Sequence, residues 1–154
     1  MGKCGALLQK VQFLCHRKDE GHMLTLKEVL TDFAFSPYWN SEEKVNVDSH
    51  GADGKSPLHF MAYLGDDKAI CLLVEAGAHI DTTDDEGNTP LHESVMSRQA
   101  SATRTIIKLG ANVDCKNSLG QTPFDIAKDD AYEPCIALLT LARQYQNNRG
   151  RTKI

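Results

Sequence analysis

The chain has no excess of basic charge, no long apolar run and no catalytic spacing, and each absence narrows its function. With 17 Lys and Arg against 21 Asp and Glu, the formal net charge is −4, so no basic stripe marks a nucleic-acid surface. The one basic concentration, Arg143, Arg149, Arg151 and Lys153, reads as a solubilising end. No run of about 18 apolar residues occurs, which excludes a membrane-spanning helix. The first 20 residues set Lys10, His16, Arg17 and Lys18 around short apolar stretches, unlike a secretory leader. Ala6 stands where myristoylation after Met1-Gly2 requires Ser or Thr.

Chemistry is equally sparse. The five cysteines, Cys4, Cys15, Cys71, Cys115 and Cys135, are odd in number and never spaced C-x-x-C. That predicts free thiols in a reducing cytosol. Cys15, His16 and His22 offer too few ligands at the wrong spacing for zinc. No glycine-rich phosphate loop, H-E-x-x-H or G-x-S-x-G is present. The cluster Asp81, Asp84, Asp85 and Glu86 lacks a calcium-loop pattern and reads as solvated loop carboxylates. No cofactor and no metal is expected. Apolar content of 41% and charged content of 25% in 154 residues suit one soluble domain with a single core.

What the chain has is a period. Ser56-Pro57-Leu58-His59 returns as Thr89-Pro90-Leu91-His92 and, altered, as Thr122-Pro123-Phe124-Asp125, in two steps of 33 residues. Gly54, Gly87 and Gly120 keep the same step, and Gly77-Ala78-His79-Ile80-Asp81 matches Gly110-Ala111-Asn112-Val113-Asp114. One step earlier, Asn46-Val47-Asp48 remains as a remnant. Such self-similarity marks a stack of supersecondary units, none able to bury its apolar face alone.

Each unit has its own logic. Ser56, Thr89 and Thr122 are N-caps, with Pro57, Pro90 and Pro123 at the first helical position, where a missing N–H costs nothing. Short helices are predicted over residues 57–64, 90–97 and 123–129, and Gly65 supplies the first turn. Arg98 and Ala131 stand where Gly65 predicts glycine. A second helix follows with an apolar stripe at helical spacing: Ala69, Ile70, Leu72, Leu73 and Val74 in the first unit. Its counterparts are Ala102, Ile106, Ile107 and Leu109, then Cys135, Ile136, Leu138, Leu139 and Leu141. Thr103 and Thr105 interrupt the second stripe, at an expected cost of about 1 kcal/mol each. Gly77 and Gly110 fit helix ends that need a left-handed backbone. Residues 78–89 and 111–122 then form extended hairpin loops.

The ends differ from the middle, as solenoid ends do. Thr25-x-x-Glu28 is a capping box opening a helix with Leu26, Val29, Leu30 and Phe33 on one face. Ser36-Pro37 repeats the cap before Tyr38-Trp39, aromatics that read as a seal on the stack. The last helix is predicted to run to about Gln146 and close the array. Residues 1–22 lie off the grid as an extension, where Gly2, Gly5 and Gly21 oppose a long helix. One domain spans 23–146, with a cap at 23–47 and repeats at about 48–80, 81–113 and 114–146. A basic tail covers 147–154.

On these three registered units, residues 45–142 resemble the ankyrin repeat family. The flanks Leu24-Thr25-Leu26-Lys27-Glu28-Val29 and Ser36-Pro37-Tyr38-Trp39-Asn40 resemble small stand-alone bacterial ankyrin proteins. Some of those are encoded beside secreted toxins and act as immunity proteins. The resemblance implies an all-α ankyrin repeat solenoid of three repeats plus a degenerate N-terminal capping repeat. It implies that His59 and His92 are structural, bonding the adjacent hairpin, and that Asp125 departs from this pattern.

It also implies a concave groove of hairpin tips and first helices where a protein partner docks. In the first unit the residues facing it are Ala52, Asp53, Lys55, Tyr63 and Leu64. In the second they are Asp85, Glu86, Asn88, Met96 and Ser97. In the third they are Ser118, Leu119, Gln121, Asp129 and Asp130. The expected function is a cytoplasmic, monomeric, non-enzymatic protein-protein interaction module with a basic partner. The alternatives are an immunity protein neutralising a cognate toxin and a viral or pathogen mimic of host ankyrin proteins.

Overall fold

The computed structural model describes residues 25–36, 39 and 44–151. The off-grid extension, the zinc trio, Pro37, Tyr38 and Lys153 lie outside them. Among the described residues there are seven α-helices and no strand. Helix α1 is Leu26–Ala34; α2 and α3 are Pro57–Leu64 and Asp67–Glu75; α4 and α5 are Pro90–Met96 and Ala100–Lys108; α6 and α7 are Pro123–Asp129 and Glu133–Arg151. The first helices α2, α4 and α6 pack side by side in one layer, and the second helices α3, α5 and α7 form another.

The period of the sequence becomes ladders of buried side chains. Leu73, Ile106 and Leu139 are buried at successive steps through the second layer, beside Ala69, Ala102 and Cys135. In the first layer Leu58 and Leu91 do the same. Each of the leucines and Ile106 removes enough apolar surface to stabilise the stack by roughly 1.5–3 kcal/mol. At the start, the Thr25 capping box forms, and Val29 and Phe33 are buried against the first repeat. Trp39 lies 5.7 Å from the Phe33 ring and Phe60 6.0 Å from it, so Trp39 covers the first end of the core.

Turns follow the expected chemistry. Gly65 is left-handed at φ 71, and so are its substitutes Arg98 at φ 56 and Ala131 at φ 49. Arg98 offsets part of that strain by placing its guanidinium 5.6 Å from the Tyr132 ring and donating to the Asp130 carbonyl at 3.4 Å.

Three expectations change. Thr103 is not an unpaired polar break in the stripe: it is buried with Ser94, their hydroxyls 2.9 Å apart, and it also donates to the Gln99 carbonyl at 3.0 Å. Leu141 leaves the stripe, because the buried face of α7 falls at Cys135, Leu139 and Ala142. Finally α7 passes Gln146 and continues to Arg151. With no glycine at position 143, Arg143 instead clamps Asp114 at 2.7 Å and covers the Phe124 ring at 4.9 Å. Gln146 donates to the Ala111 carbonyl at 3.1 Å. Arg143 is therefore a packing residue rather than part of a loose basic end.

Candidate functional site

The hairpin tips are closed by short turns rather than strand ladders. Gly51 N donates to Lys55 O at 2.9 Å, Asp84 N to Asn88 O at 3.0 Å, and Asn117 N to Gln121 O at 3.0 Å. In the second and third tips a side chain at the first position organises the loop. Asp84 Oδ1 accepts from the N–H groups of Glu86 and Asn88, at 3.0 and 2.8 Å. Asn117 Oδ1 accepts from those of Leu119 and Gln121, at 3.1 and 3.0 Å. Gly51 cannot do this, and the first tip closes differently, with Asp53 left-handed at φ 60.

Neighbouring tips are joined directly. Asp85 N donates to Asp53 O at 3.0 Å, and Ser118 N to Glu86 O at 2.9 Å. The histidines tie the helices to the tips. His59 Nδ1 accepts from Ser56 N at 3.2 Å, so the proton sits on Nε2, which donates to Asn88 O at 2.9 Å. His92 repeats this with Thr89 N at 3.1 Å and Gln121 O at 3.1 Å. Burial pushes the His59 imidazole down to about 4 and lowers that of His92. Both ring nitrogens of each are committed, which leaves no lone pair for a substrate or metal. The structural role implied for them is the observed one. Asp125 keeps half of it: Oδ2 accepts from Thr122 N at 2.9 Å. That backbone hydrogen bond, with the one from the Thr122 hydroxyl, lowers its pKa.

The sites expected in the groove divide into two sets. Asp53, Tyr63, Asp85, Glu86, Met96, Ser118 and Leu119 are exposed, and Leu64, Ser97 and Gln121 are half-buried. Lys55 and Asn88 turn inward instead. Lys55 Nζ lies 3.3 Å from Asp84 Oδ2 and 2.5 Å from Glu93 Oε2, all three side chains being largely buried. Burial alone would depress the ammonium, but the hydrogen bonds and charges of Glu93 and Asp84 outweigh it and raise the Lys55 pKa. Asn88 Oδ1 accepts from Asn117 Nδ2 at 3.1 Å. The residues after the first and second turn glycines thus face the next repeat and tie tips together.

Asp84 is likewise no solvated carboxylate, and Asp81 accepts from Asn112 N at 3.0 Å. The acidic cluster is thus dispersed, and no group of three metal-ligating side chains occurs among the described residues. Glu93 went unnoticed in the sequence. Its register partners are Phe60 and Ile126, and a lone carboxylate in that row, with a lysine in the preceding hairpin, was the available signal.

The exposed residues fall into two rows. The tips present Asp53, Glu86 and Leu119; the helix ends present Tyr63, Met96 and Asp129. Gln121 Nε2 donates to Asp129 Oδ2 at 3.3 Å, so the rows border one surface. Tyr63 and Met96 are 42% and 40% exposed and Leu119 is 82% exposed. Where one row is acidic the other is apolar, and the order reverses in the third unit.

No helix among the described residues is long and apolar enough to cross a membrane. No curated protein matches the chain. A family model described as ankyrin repeats in three copies matches residues 20–117 and 58–149. Ankyrin repeats are generally protein-protein interaction modules. With the hairpin closures, the histidine ties and the 33-residue ladders in place, the chain belongs to the ankyrin repeat family.

Proposed function

We propose that the chain is a non-enzymatic module that docks a protein partner across its hairpin tips and first-helix ends. The alternation of exposed Tyr63, Met96 and Leu119 with Asp53, Glu86 and Asp129 carries this reading. Aromatic and methionine anchors set among polar groups are what a recognition surface requires. Asp85, Ser118 and the half-buried Leu64, Ser97 and Gln121 complete the face. Lys55 and Asn88 serve it indirectly, holding the tips in line.

The partner is basic. Asp53, Asp85, Glu86, Asp129 and Asp130 are all exposed, and a field of one sign speeds capture of the opposite one. Because the tips are bonded to one another, docking orders little, which favours affinity. The test is a tagged pull-down from the native source beside the variant Tyr63→Ala/Asp85→Lys/Met96→Ala. One stoichiometric basic protein should be retained by the wild type and lost from the variant. Equal retention by both would place binding elsewhere.

A further inference from the structure

We propose a second docking surface on the layer of second helices: a groove between α5 and α7 that receives an acidic amphipathic helix of a partner protein. The observation behind it is independent of the tip surface. Helix α7 has 19 residues, whereas α3 and α5 have 9 each. Its second half therefore overhangs, and a groove of about 570 Å³ opens against the end of α5. Ile107, Leu138, Leu141 and Tyr145 make the apolar lining, with Leu141 and Tyr145 65% and 60% exposed. Leu141 is the residue that left the buried stripe. Apolar surface gathered in one concave place, rather than scattered singly, marks an interaction site.

Charge selects the occupant. Arg104 and Lys108 stand on the α5 wall, and no carboxylate lines the groove. Neither cation has an ion-pair partner among the described residues, in a chain of net charge −4. Four residues apart on a helix, their side chains emerge about 5–6 Å apart on one face. A helix lying alongside meets both with two carboxylates at the same spacing, while its i, i+3 and i+4 apolar side chains fill the floor. The chain's own residues 1–24 carry four basic and two acidic residues, the wrong sign for this wall. In a second copy the exposed helical pair four apart among the described residues, Asp125 and Asp129 on α6, already accepts hydrogen bonds from Thr122 and Gln121.

The probe is a phage library of 16-residue helical peptides, selected on the full chain and then titrated as synthetic peptides. Selected peptides should carry Asp or Glu four apart beside Leu or Phe, and should bind more weakly as salt rises. Affinity should fall about tenfold or more in Arg104→Glu/Lys108→Glu and in Leu141→Glu, and stay unchanged in Tyr63→Ala/Asp85→Lys/Met96→Ala. Melting curves of the charge-reversed and Leu141 variants should match the wild type, since all three side chains are on the surface. Peptides without carboxylates, or binding that ignores the groove variants, would overturn the proposal. So would a concentration-dependent dimer in sedimentation that Leu141→Glu abolishes, since the groove would then hold a second copy.

Discussion

Lys55 and Asn88 hold equivalent places one repeat apart, and each bonds a side chain 29 residues further on. Lys55 meets Asp84 at 3.3 Å, and Asn88 meets Asn117 at 3.1 Å. One interface is thus tied by charge and the next by a neutral pair. The charged tie also includes Glu93, where the next repeat has Ile126.

Lys55→Met leaves two buried carboxylates without their cation and should cost about 3–5 kcal/mol. Transplanting the next interface, as Lys55→Asn/Asp84→Asn/Glu93→Ile, should recover most of that loss. Urea unfolding of the three proteins measures both effects. A triple variant no more stable than Lys55→Met would mean that the ion network is required for packing itself.

His59 makes stability depend on pH in mild acid. Its imidazole titrates at about 4 in the fold, below the ordinary 6.5, because burial disfavours the cation. Its stabilising contribution is therefore complete above pH 6.5 and is lost as pH falls through 4. The shift corresponds to something on the order of 3 kcal/mol. The mechanism is local: a proton on Nδ1 removes the acceptor for Ser56 N–H. Unfolding free energies between pH 7 and 4 should fall less steeply in His59→Gln than in the wild type, and identical slopes would refute the assignment.

Ala131→Gly should stabilise the chain by up to about 1 kcal/mol, raising the melting temperature by roughly 2–4 °C. Position 131 is left-handed and exposed, so only the unfolded state opposes the gain. Gly65→Ala should do the reverse. Its backbone is also left-handed, and an added Cβ would meet the Gln99 side chain. Calorimetry on both variants decides, and a loss in Ala131→Gly would contradict the strain argument.

Ser94→Ala and Thr103→Val should each cost about 1–2 kcal/mol, and the double variant less than their sum. Ser94 donates to the Leu91 carbonyl at 2.9 Å and Thr103 to the Gln99 carbonyl at 3.0 Å, while the two hydroxyl oxygens lie 2.9 Å apart in the core, so the second substitution removes a contact that the first has already broken. Additive losses in a double-mutant cycle would show that the pair is not coupled.

Most of the fold was legible because period, cap and turn residues agree at every level. Thr-Pro-Leu-His places a cap, a helix start and a buried histidine together, and Arg98 and Ala131 took the left-handed turn that the grid demanded of them. The site was less legible. Position relative to a turn glycine suggested that Lys55 and Asn88 faced outward, but their destinations, Asp84, Glu93 and Asn117, lie about a repeat away in the chain. Burial of Asp84 likewise depends on a neighbour that local pattern does not reveal. Leu141 was misplaced for a different reason. It stands in register with Glu75 and Lys108, the exposed last residues of α3 and α5, and only its apolar type placed it in the stripe.

The alternating ties make the order of the units part of the design. A duplicated first repeat would set a second lysine against a neighbour that lacks Asp84 and Glu93. A duplicated second repeat would bring another buried carboxylate pair facing Asn88 rather than a cation. The stack cannot be shuffled or lengthened freely by recombination between its own units, although their helices recur at a constant step. Its length is guarded by chemistry at the joints, and any natural expansion has to rewrite a joint along with the unit it adds.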